Sequence, residues 1–308
     1  MRREIVFGTR GSKLALIQAE SVVARVRELA PRLEVAITKI TTKGDRNHHV
    51  QLDHMEDIGV FVKELEEALF SRRIDVAVHS LKDMPTQIPR ELCLAAIIER
   101  LDPRDALISG GQKLAELAAG SRIGTGSLRR AIQLGACRPD LETCSIRGNV
   151  DTRLRKVAEG EFAGVILAAA AMQRLGWENK ISEYLPLEHF LPSAGQGALA
   201  VEARSDDREV AELLAPLNHV PTWQSITAER AFLEALGGGC RAPIASLGTV
   251  KNGTLQLEGM VADVGTKKII RTSVKDSALP PQELGAHLAQ KLLAMGADKF
   301  IAEAKGTG

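Results

Sequence analysis

One pattern occurs twice in this chain: a short apolar run, a polar turn rich in Gly, Ser and Arg, and then apolar residues at helical spacing. In the first half, Ile5-Val6-Phe7 runs into Gly8-Thr9-Arg10-Gly11-Ser12, and Ala15, Ala19, Val22, Val26 and Leu29 then line one face up to Pro31. In the second, Arg122-Ile123-Gly124 runs into Thr125-Gly126-Ser127-Leu128-Arg129-Arg130 and a helix to about Cys137. Strand, turn and helix in that order restrict the fold to the α/β class, and their alternation predicts parallel sheets. Further strands are expected at 34–40, 74–78, 141–146 and 164–169, and a helix over 61–70 with Phe61, Leu65 and Leu69 on one side. Ligands of such sheets sit beyond the carboxyl ends of the strands. Arg10, Ser12, Lys82 and Asp83 all follow strands closely and so belong to one sheet edge.

Two polar, proline-bearing stretches punctuate the chain, Glu99-Arg100-Leu101-Asp102-Pro103-Arg104-Asp105 and Leu191-Pro192-Ser193-Ala194-Gly195-Gln196-Gly197. Read as crossings, they give two lobes facing each other across a cleft. The first is residues 1–99 with 198–216, with a lid loop at about 43–59; the second is residues 103–193. The strand Ala198-Leu199-Ala200-Val201-Glu202 then returns to the first lobe. Residues 220–308 form a small third α/β domain with an antiparallel sheet. Its strands 244–251 and 254–262 are joined by Asn252-Gly253, a two-residue hairpin signal, with a third strand at 268–274 and a helix over 281–295.

Between that domain's first helix and first strand lies Gly237-Gly238-Gly239-Cys240-Arg241-Ala242-Pro243. Read alone, the loop describes a helix cap with a small buried thiol as well as it describes a thiol held open for chemistry. Cys93, in the apolar run Cys93-Leu94-Ala95-Ala96-Ile97-Ile98, is expected in a core. None of the four cysteines forms a C-x-x-C pair, so no metal site is expected. Aromatic content of 3% and a net charge of +1 argue against nucleic acid as a partner. The longest apolar span, 165–172, is too short to cross a membrane, and no secretory signal is visible, so a cytoplasmic protein is expected.

From Arg122 to Arg155 there are seven arginines, no lysine and three acids. Guanidinium forks match carboxylates and phosphates in a bidentate way, and several of these arginines sit where free helix N–H groups also favour anions. Arg138 and Arg122 read as surface residues. Arg129, Arg130 and Arg147 stand at strand-to-helix turns. No G-x-G-x-x-G or G-x-x-x-x-G-K-[ST] loop accompanies them, which turns the expectation from a nucleotide toward a ligand carrying several carboxylates.

These residues lie within motifs that occur together and in order: His79-Ser80-Leu81-Lys82-Asp83-Met84-Pro85, Arg100-Leu101-Asp102-Pro103-Arg104-Asp105, Ser127-Leu128-Arg129-Arg130, Arg147-Gly148-Asn149, Gly195-Gln196-Gly197 and Gly238-Gly239-Cys240. Over nearly its whole length the chain resembles the porphobilinogen deaminase (hydroxymethylbilane synthase) family. The resemblance implies two periplasmic-binding-protein-like lobes joined by two hinge strands, plus the small third domain. It implies a transferase that joins four porphobilinogen molecules head to tail, with release of ammonia, to give hydroxymethylbilane in porphyrin and heme biosynthesis, acting as a monomer. It implies a dipyrromethane cofactor held by a thioether to Cys240.

By the same resemblance Asp83 is catalytic, stabilising a cationic azafulvene beside the pyrrole N–H groups. Ser12, Ser80, Lys82, Asp83, Thr125, Ser127, Arg129, Arg130, Arg147, Gly148, Asn149, Arg153 and Gln196 hold the cofactor. Arg10, Ser12, Phe61, Arg147, Arg153 and Arg174 bind substrate. For His79 a structural role is preferred. The chain departs from the family at Glu56-Asp57-Ile58-Gly59, where a Gly-Gly-Lys-Gly is usual, at Gly126 for Ser, and at Gly237 and Arg241 for Glu and Gln. The competing expectation is a non-catalytic, two-lobed polycarboxylate-binding protein, which leaves Cys240 without a purpose.

Overall fold

The computed structural model describes residues 2–40, 62–237 and 243–306. The chain divides into two compact units, Met1–Arg100 with Ala198–Trp223, and Leu101–Gly197 with Gln224–Gly308. The first unit opens with β1 (Glu4–Arg10), α1 (Lys13–Leu29), β2 (Glu34–Ile40), α2 (Lys63–Phe70), β3 (Val76–Ser80) and β4 (Leu92–Ile97). The second holds β5 (Asp105–Ile108), β6 (Arg122–Gly124), α3 (Leu128–Cys137), β7 (Glu142–Cys144), α4 (Val150–Ala158), β8 (Gly164–Ala168), α5 (Ala169–Arg174) and β9 (Glu183–Tyr184). The chain then re-enters the first unit as β10 (Leu199–Arg204) and α6 (Arg208–Leu214). Helix α7 (Val220–Ala235) leads into β11 (Ile244–Lys251), β12 (Thr254–Ala262), β13 (Ile269–Asp276) and α8 (Pro281–Leu292) of the second unit.

The first unit's sheet has the order β2-β1-β3-β10-β4. Here β1 runs parallel to β2 and β3, but β10 runs antiparallel to both β3 and β4. The second unit's larger sheet, β7-β6-β8-β5-β9, is mixed in the same way, with β5 antiparallel to β8 and β9. The expectation of purely parallel sheets is therefore corrected. A strand that re-enters a sheet from a distant segment is not bound by the right-handed crossover that makes consecutive βαβ strands parallel. Both faces of the first sheet are covered. Ile5, Phe7, Val22, Val26, Val78 and Val201 form one core, and Leu65, Leu69, Ile74 and Ala77 form the other. Burial of each large aliphatic or Phe side chain contributes about 1.5–3 kcal/mol. Cys93 is only half-buried, in correction of its expected core role: it lies on β4, the edge strand of this sheet.

The third sheet, β11-β12-β13, is fully antiparallel. Its hairpin turns at Asn252 and Gly253 with φ of +50° and +76°, as the two-residue signal predicts. One face packs on α7 and α8 through Phe232, Leu257, Val261, Leu284 and Leu288. The other meets Ile132 and Leu191 through Ala245, Leu247, Met260 and Ala262.

The approach of α8 to α7 depends on one missing side chain. A Cβ on Gly285 would stand 2.4 Å from the Ala228 carbonyl oxygen and 2.8 Å from the Ala231 Cβ. Gly285→Ala is expected to destabilise the second unit by about 1–3 kcal/mol, because one obstacle is helix backbone and the other a Cβ fixed to it, and neither can swing aside. Gly135→Ala, in α3, meets only the Lys267 side chain at 3.8 Å and should be neutral or stabilising by about 0.5–1 kcal/mol. Thermal unfolding of the two variants beside the parent checks both signs.

Candidate active site

In the first unit the carboxyl ends of β1 and β3 open onto a pocket lined by Arg10, Ser12, Gln18, His79, Ser80 and Asp83, with aliphatic walls from Val62 and Leu65. Ser12 is placed by its work as the N-cap of α1. Its backbone is extended (φ −70°, ψ 148°), and its Oγ accepts from the Ala15 N–H. The Gln18 amide, one turn on, donates from Nε2 to Ser80 Oγ at 2.9 Å and so ties α1 to the end of β3. Beyond Ser80 the chain makes a single 3₁₀ turn, Leu81–Asp83, that buries Leu81 and leaves Lys82 and Asp83 exposed. Asp83 thus reaches the pocket as an exposed carboxylate on a short turn anchored by an apolar residue.

The second unit builds its group around a carboxylate of the opposite kind. Asp105, the first residue of β5, is fully buried. Arg129 Nη1 donates to its Oδ2 at 2.7 Å, and Arg130 donates from Nε and Nη2 to Oδ1 at 3.0 and 2.7 Å. Gln196 Nε2 donates to the same Oδ1 at 2.8 Å and to the Pro103 carbonyl at 2.8 Å. Burial by itself pushes the Asp105 carboxyl up, but the two guanidiniums outweigh it and hold the group well below the usual carboxylate range. Arg129 and Arg130 were expected to face a ligand. In the structure both are buried, bonded to Asp105, and extended to the Leu191 and Ile166 carbonyls respectively.

Around this core the turn residues take defined places. Ser127 caps α3, accepting from the Arg130 N–H at 3.4 Å, and its own N–H donates to the buried Thr125 Oγ1 at 3.1 Å. Gly148 has φ +106°, and a Cβ there would collide with Thr152 at 2.8 Å, so the Arg147-Gly148-Asn149 turn requires glycine. Asn149 holds the N-cap position of α4 without a side-chain capping bond, and Arg147 is exposed. Arg153 donates from Nε to the Gly148 carbonyl at 2.8 Å. Burial pulls the Arg153 guanidinium below its ordinary value, and the like charges of Arg130 and Arg147 add to the effect. Arg174, at the end of α5, donates to the Gly197 carbonyl at 2.8 Å and is lowered by burial to about 10. Arg138 and Arg122 lie apart from this group, as expected. Arg138 pairs with Asp140, and Arg122 bonds the Glu161 carbonyl.

Sequence reasoning quoted Asp105 only as part of a crossing motif. An acid beginning an otherwise apolar strand, with two adjacent arginines elsewhere in the chain, is the signal that could have marked it. Cys240, Phe61 and the loop at 43–59 lie outside the described residues.

The chain is thus an α/β protein with a carboxylate-bearing pocket at strand ends in one unit and a cluster of Arg129, Arg130, Arg147 and Arg153 around Asp105 in the other. A family model described as "Porphobilinogen deaminase, dipyromethane cofactor binding domain" matches residues 5–212, and one described as "Porphobilinogen deaminase, C-terminal domain" matches residues 223–294. A porphobilinogen deaminase of Desulforudis audaxviator is 45% identical over 99% of this chain and 99% of its own length. One from Brevibacillus brevis is 46% identical over 96% of each. Among solved structures, a methionine-binding protein matches at 14% identity and a TM-score of 0.45 over 72% of this chain and 91% of its own, a likeness too slight to weigh. The chain belongs to the porphobilinogen deaminase family, and the cofactor of that family's binding domain is dipyrromethane.

The Asp105 hub yields a signed expectation. Because its folded carboxyl is depressed, its contribution to stability is complete above the ordinary carboxylate value of about 4 and is lost as pH falls toward the lower folded value. Asp105→Asn strands two buried guanidiniums and should cost about 3–5 kcal/mol at neutral pH. The gap between parent and variant should narrow as pH drops below about 4. Chemical unfolding at a series of pH values measures the gap directly.

Proposed function

We propose a division of labour among the residues of this chain for the reaction of its family, in which four porphobilinogen molecules are joined head to tail, with ammonia released at each joining, to give hydroxymethylbilane. The observation that carries the reading is the match across almost the entire chain, at about 45% identity, to porphobilinogen deaminases that are themselves covered end to end. In this reading residues 1–99 with 198–216 and residues 103–193 act as the two lobes, and residues 220–308 present Cys240.

The charge pattern suits the cofactor. Each pyrrole of a dipyrromethane carries an acetate and a propionate. Asp105 neutralises only part of the charge of Arg129 and Arg130, and the half-buried Arg153 lies close enough to Arg130 and Arg147 to feel their repulsion. A cluster with that surplus favours bound carboxylates. When bound, the dipyrromethane supplies the pyrrole carbon to which the first substrate is joined.

Arg147 and Arg153 bind acidic side groups directly. Arg129 and Arg130 share their charge between Asp105 and the ligand, and Gln196 fixes Arg130 through the same carboxylate. Ser127 and Thr125 present the amino end of α3, where free N–H groups add to the attraction, and Gly148 and Asn149 do the same for α4. Arg10, Ser12, Ser80 and Lys82 serve the pocket that holds Asp83, and Arg174 binds substrate carboxylate. Asp83, exposed at the pocket, stabilises positive charge as the amine leaves. Cys240 supplies the sulfur that fixes the cofactor, and Phe61 contacts substrate. A cytoplasmic monomer belongs to the same reading, on the strength of composition and family resemblance.

The purified chain should carry the mass of a covalent dipyrrole, and Cys240→Ser should lack it. An unmodified parent chain would refute the anchor. Asp83→Asn should retain the adduct yet release ammonia from porphobilinogen about 10²–10⁴-fold more slowly. Near-parental release by that variant removes Asp83 from its assigned role.

A further inference from the structure

The pocket that holds Asp83 has a second ionisable wall. His79 lines it, and its ring Nε2 lies 2.9 Å from Glu202 Oε2 on the neighbouring strand β10. Both side chains are buried, at 4% and 0% exposure. Among the described residues the second oxygen of Glu202, Oε1, is buried without a hydrogen-bond partner. A carboxylate so placed is costly unless a cation compensates it, and the group positioned to become that cation is the imidazole.

The pairing also fixes the chemistry of the ring. A carboxylate accepts hydrogen bonds and donates none, so the neutral imidazole must carry its proton on Nε2. The lone pair is then on Nδ1. Protonation of Nδ1 yields an imidazolium stabilised by Glu202. This is the arrangement by which a buried acid makes a histidine an effective acid and base in turn.

Among the described residues, Arg10 and Asp83 share the pocket wall with His79, and two further elements bring titratable groups near the pair. From α2, Glu66 stands near the pair: burial pushes its carboxyl up, Glu202 adds to this, and His79 and Lys63 oppose it. From β4, the Cys93 thiol is raised by burial, with Glu202 contributing and the Ser205 hydrogen bond opposing. Among the described residues the surroundings of the pair thus include Glu66, Lys63 and Cys93, with Arg10 and Asp83 on the wall of the same pocket.

We propose that His79 is an acid–base residue for the reaction in the Asp83 pocket, with Glu202 as its positioning residue. Each joining breaks the C–N bond of one aminomethyl group and forms a C–C bond to a pyrrole carbon that gives up its hydrogen. The imidazolium of His79 donates a proton to the departing amine, which leaves as ammonia with the C–N electron pair. The neutral ring then takes the proton from the pyrrole carbon once the C–C bond has formed, and the C–H electrons restore the aromatic ring. One proton is lent and one recovered per round, so His79 returns to its starting state. Asp83 meanwhile faces the positive charge and is not required to move a proton.

The proposal rests on the deaminase reading, and two measurements separate their failures. The first is ¹⁵N NMR of histidine-labelled holoenzyme, in which neutral His79 should carry its proton on Nε2. A proton on Nδ1 overturns the proposal whatever the kinetics. The second is Glu202→Gln, which keeps the shape and one hydrogen bond but removes the charge. It should retain the covalent dipyrrole by mass, lower kcat for ammonia release about 10²-fold with KM little changed, and move the alkaline limb of the pH–rate profile, where the imidazolium donor is lost, to lower pH. Parental kcat and pH profile in that variant overturn the proposal alone. Absence of ammonia release by the unaltered holoenzyme overturns the deaminase reading and the proposal with it.

Discussion

In the second unit one fully buried carboxylate, Asp105, organises the ends of the larger sheet. Asp105 ties the start of β5 to two consecutive arginines of α3, and through Gln196 to the segment just before the chain re-enters the first unit. A lone carboxylate at 0% exposure would lose several kcal/mol of hydration, and two lone guanidiniums would lose more. Together they form a set in which each polar atom of the acid is bonded and the guanidiniums reach on to the Leu191 and Ile166 carbonyls. The geometry locks α3 onto the strand ends. Ser127, Thr125 and the amino end of that helix are held in place as a consequence.

The same local logic serves both units. A strand ends, a serine caps the next helix, and arginine flanks the cap: Arg10 and Ser12 before α1, Ser127 with Arg129 and Arg130 at α3. Neither helix has an acid in its first turn, so the positive end of each helix dipole is not offset from within. Cap and dipole favour an anion at each strand end, and at α3 the guanidiniums of Arg129 and Arg130 already hold one, the Asp105 carboxylate.

Much of this was legible in the chain. Strands 34–40, 244–251 and 254–262 have the bounds that alternation predicts, and the Asn252-Gly253 turn adopts the positive φ values its residues favour. The return of the strand after Gly197 to the first sheet follows from two polar crossings around an α/β segment. What was not legible has one physical cause: the partners are far apart in sequence. Arg129 finds Asp105 from 24 residues away, and His79 finds Glu202 from 123 residues away. Periodicity marks an arginine or histidine at a strand end, but it cannot say whether a buried acid will meet it there. The mixed direction of the sheets escaped for the same reason, since it depends on where a distant strand inserts.

Two aspartates show how environment divides roles between identical side chains. Asp105 is enclosed by guanidiniums that hold it ionised far below neutral pH, so it is a fixed structural charge and cannot exchange protons under working conditions. Asp83 ends a one-turn helix, is exposed, and lines a pocket beside Arg10, Ser12 and His79. Among the described residues no buried network takes up its lone pairs, so its carboxylate is open to the pocket. If the two were exchanged, with the acid of the pocket enclosed and the acid of the hub exposed, the arginines of α3 would lose their anchor and the pocket its charge. Burial and hydrogen bonding therefore give Asp105 an architectural role and leave the Asp83 carboxylate at the wall of a pocket.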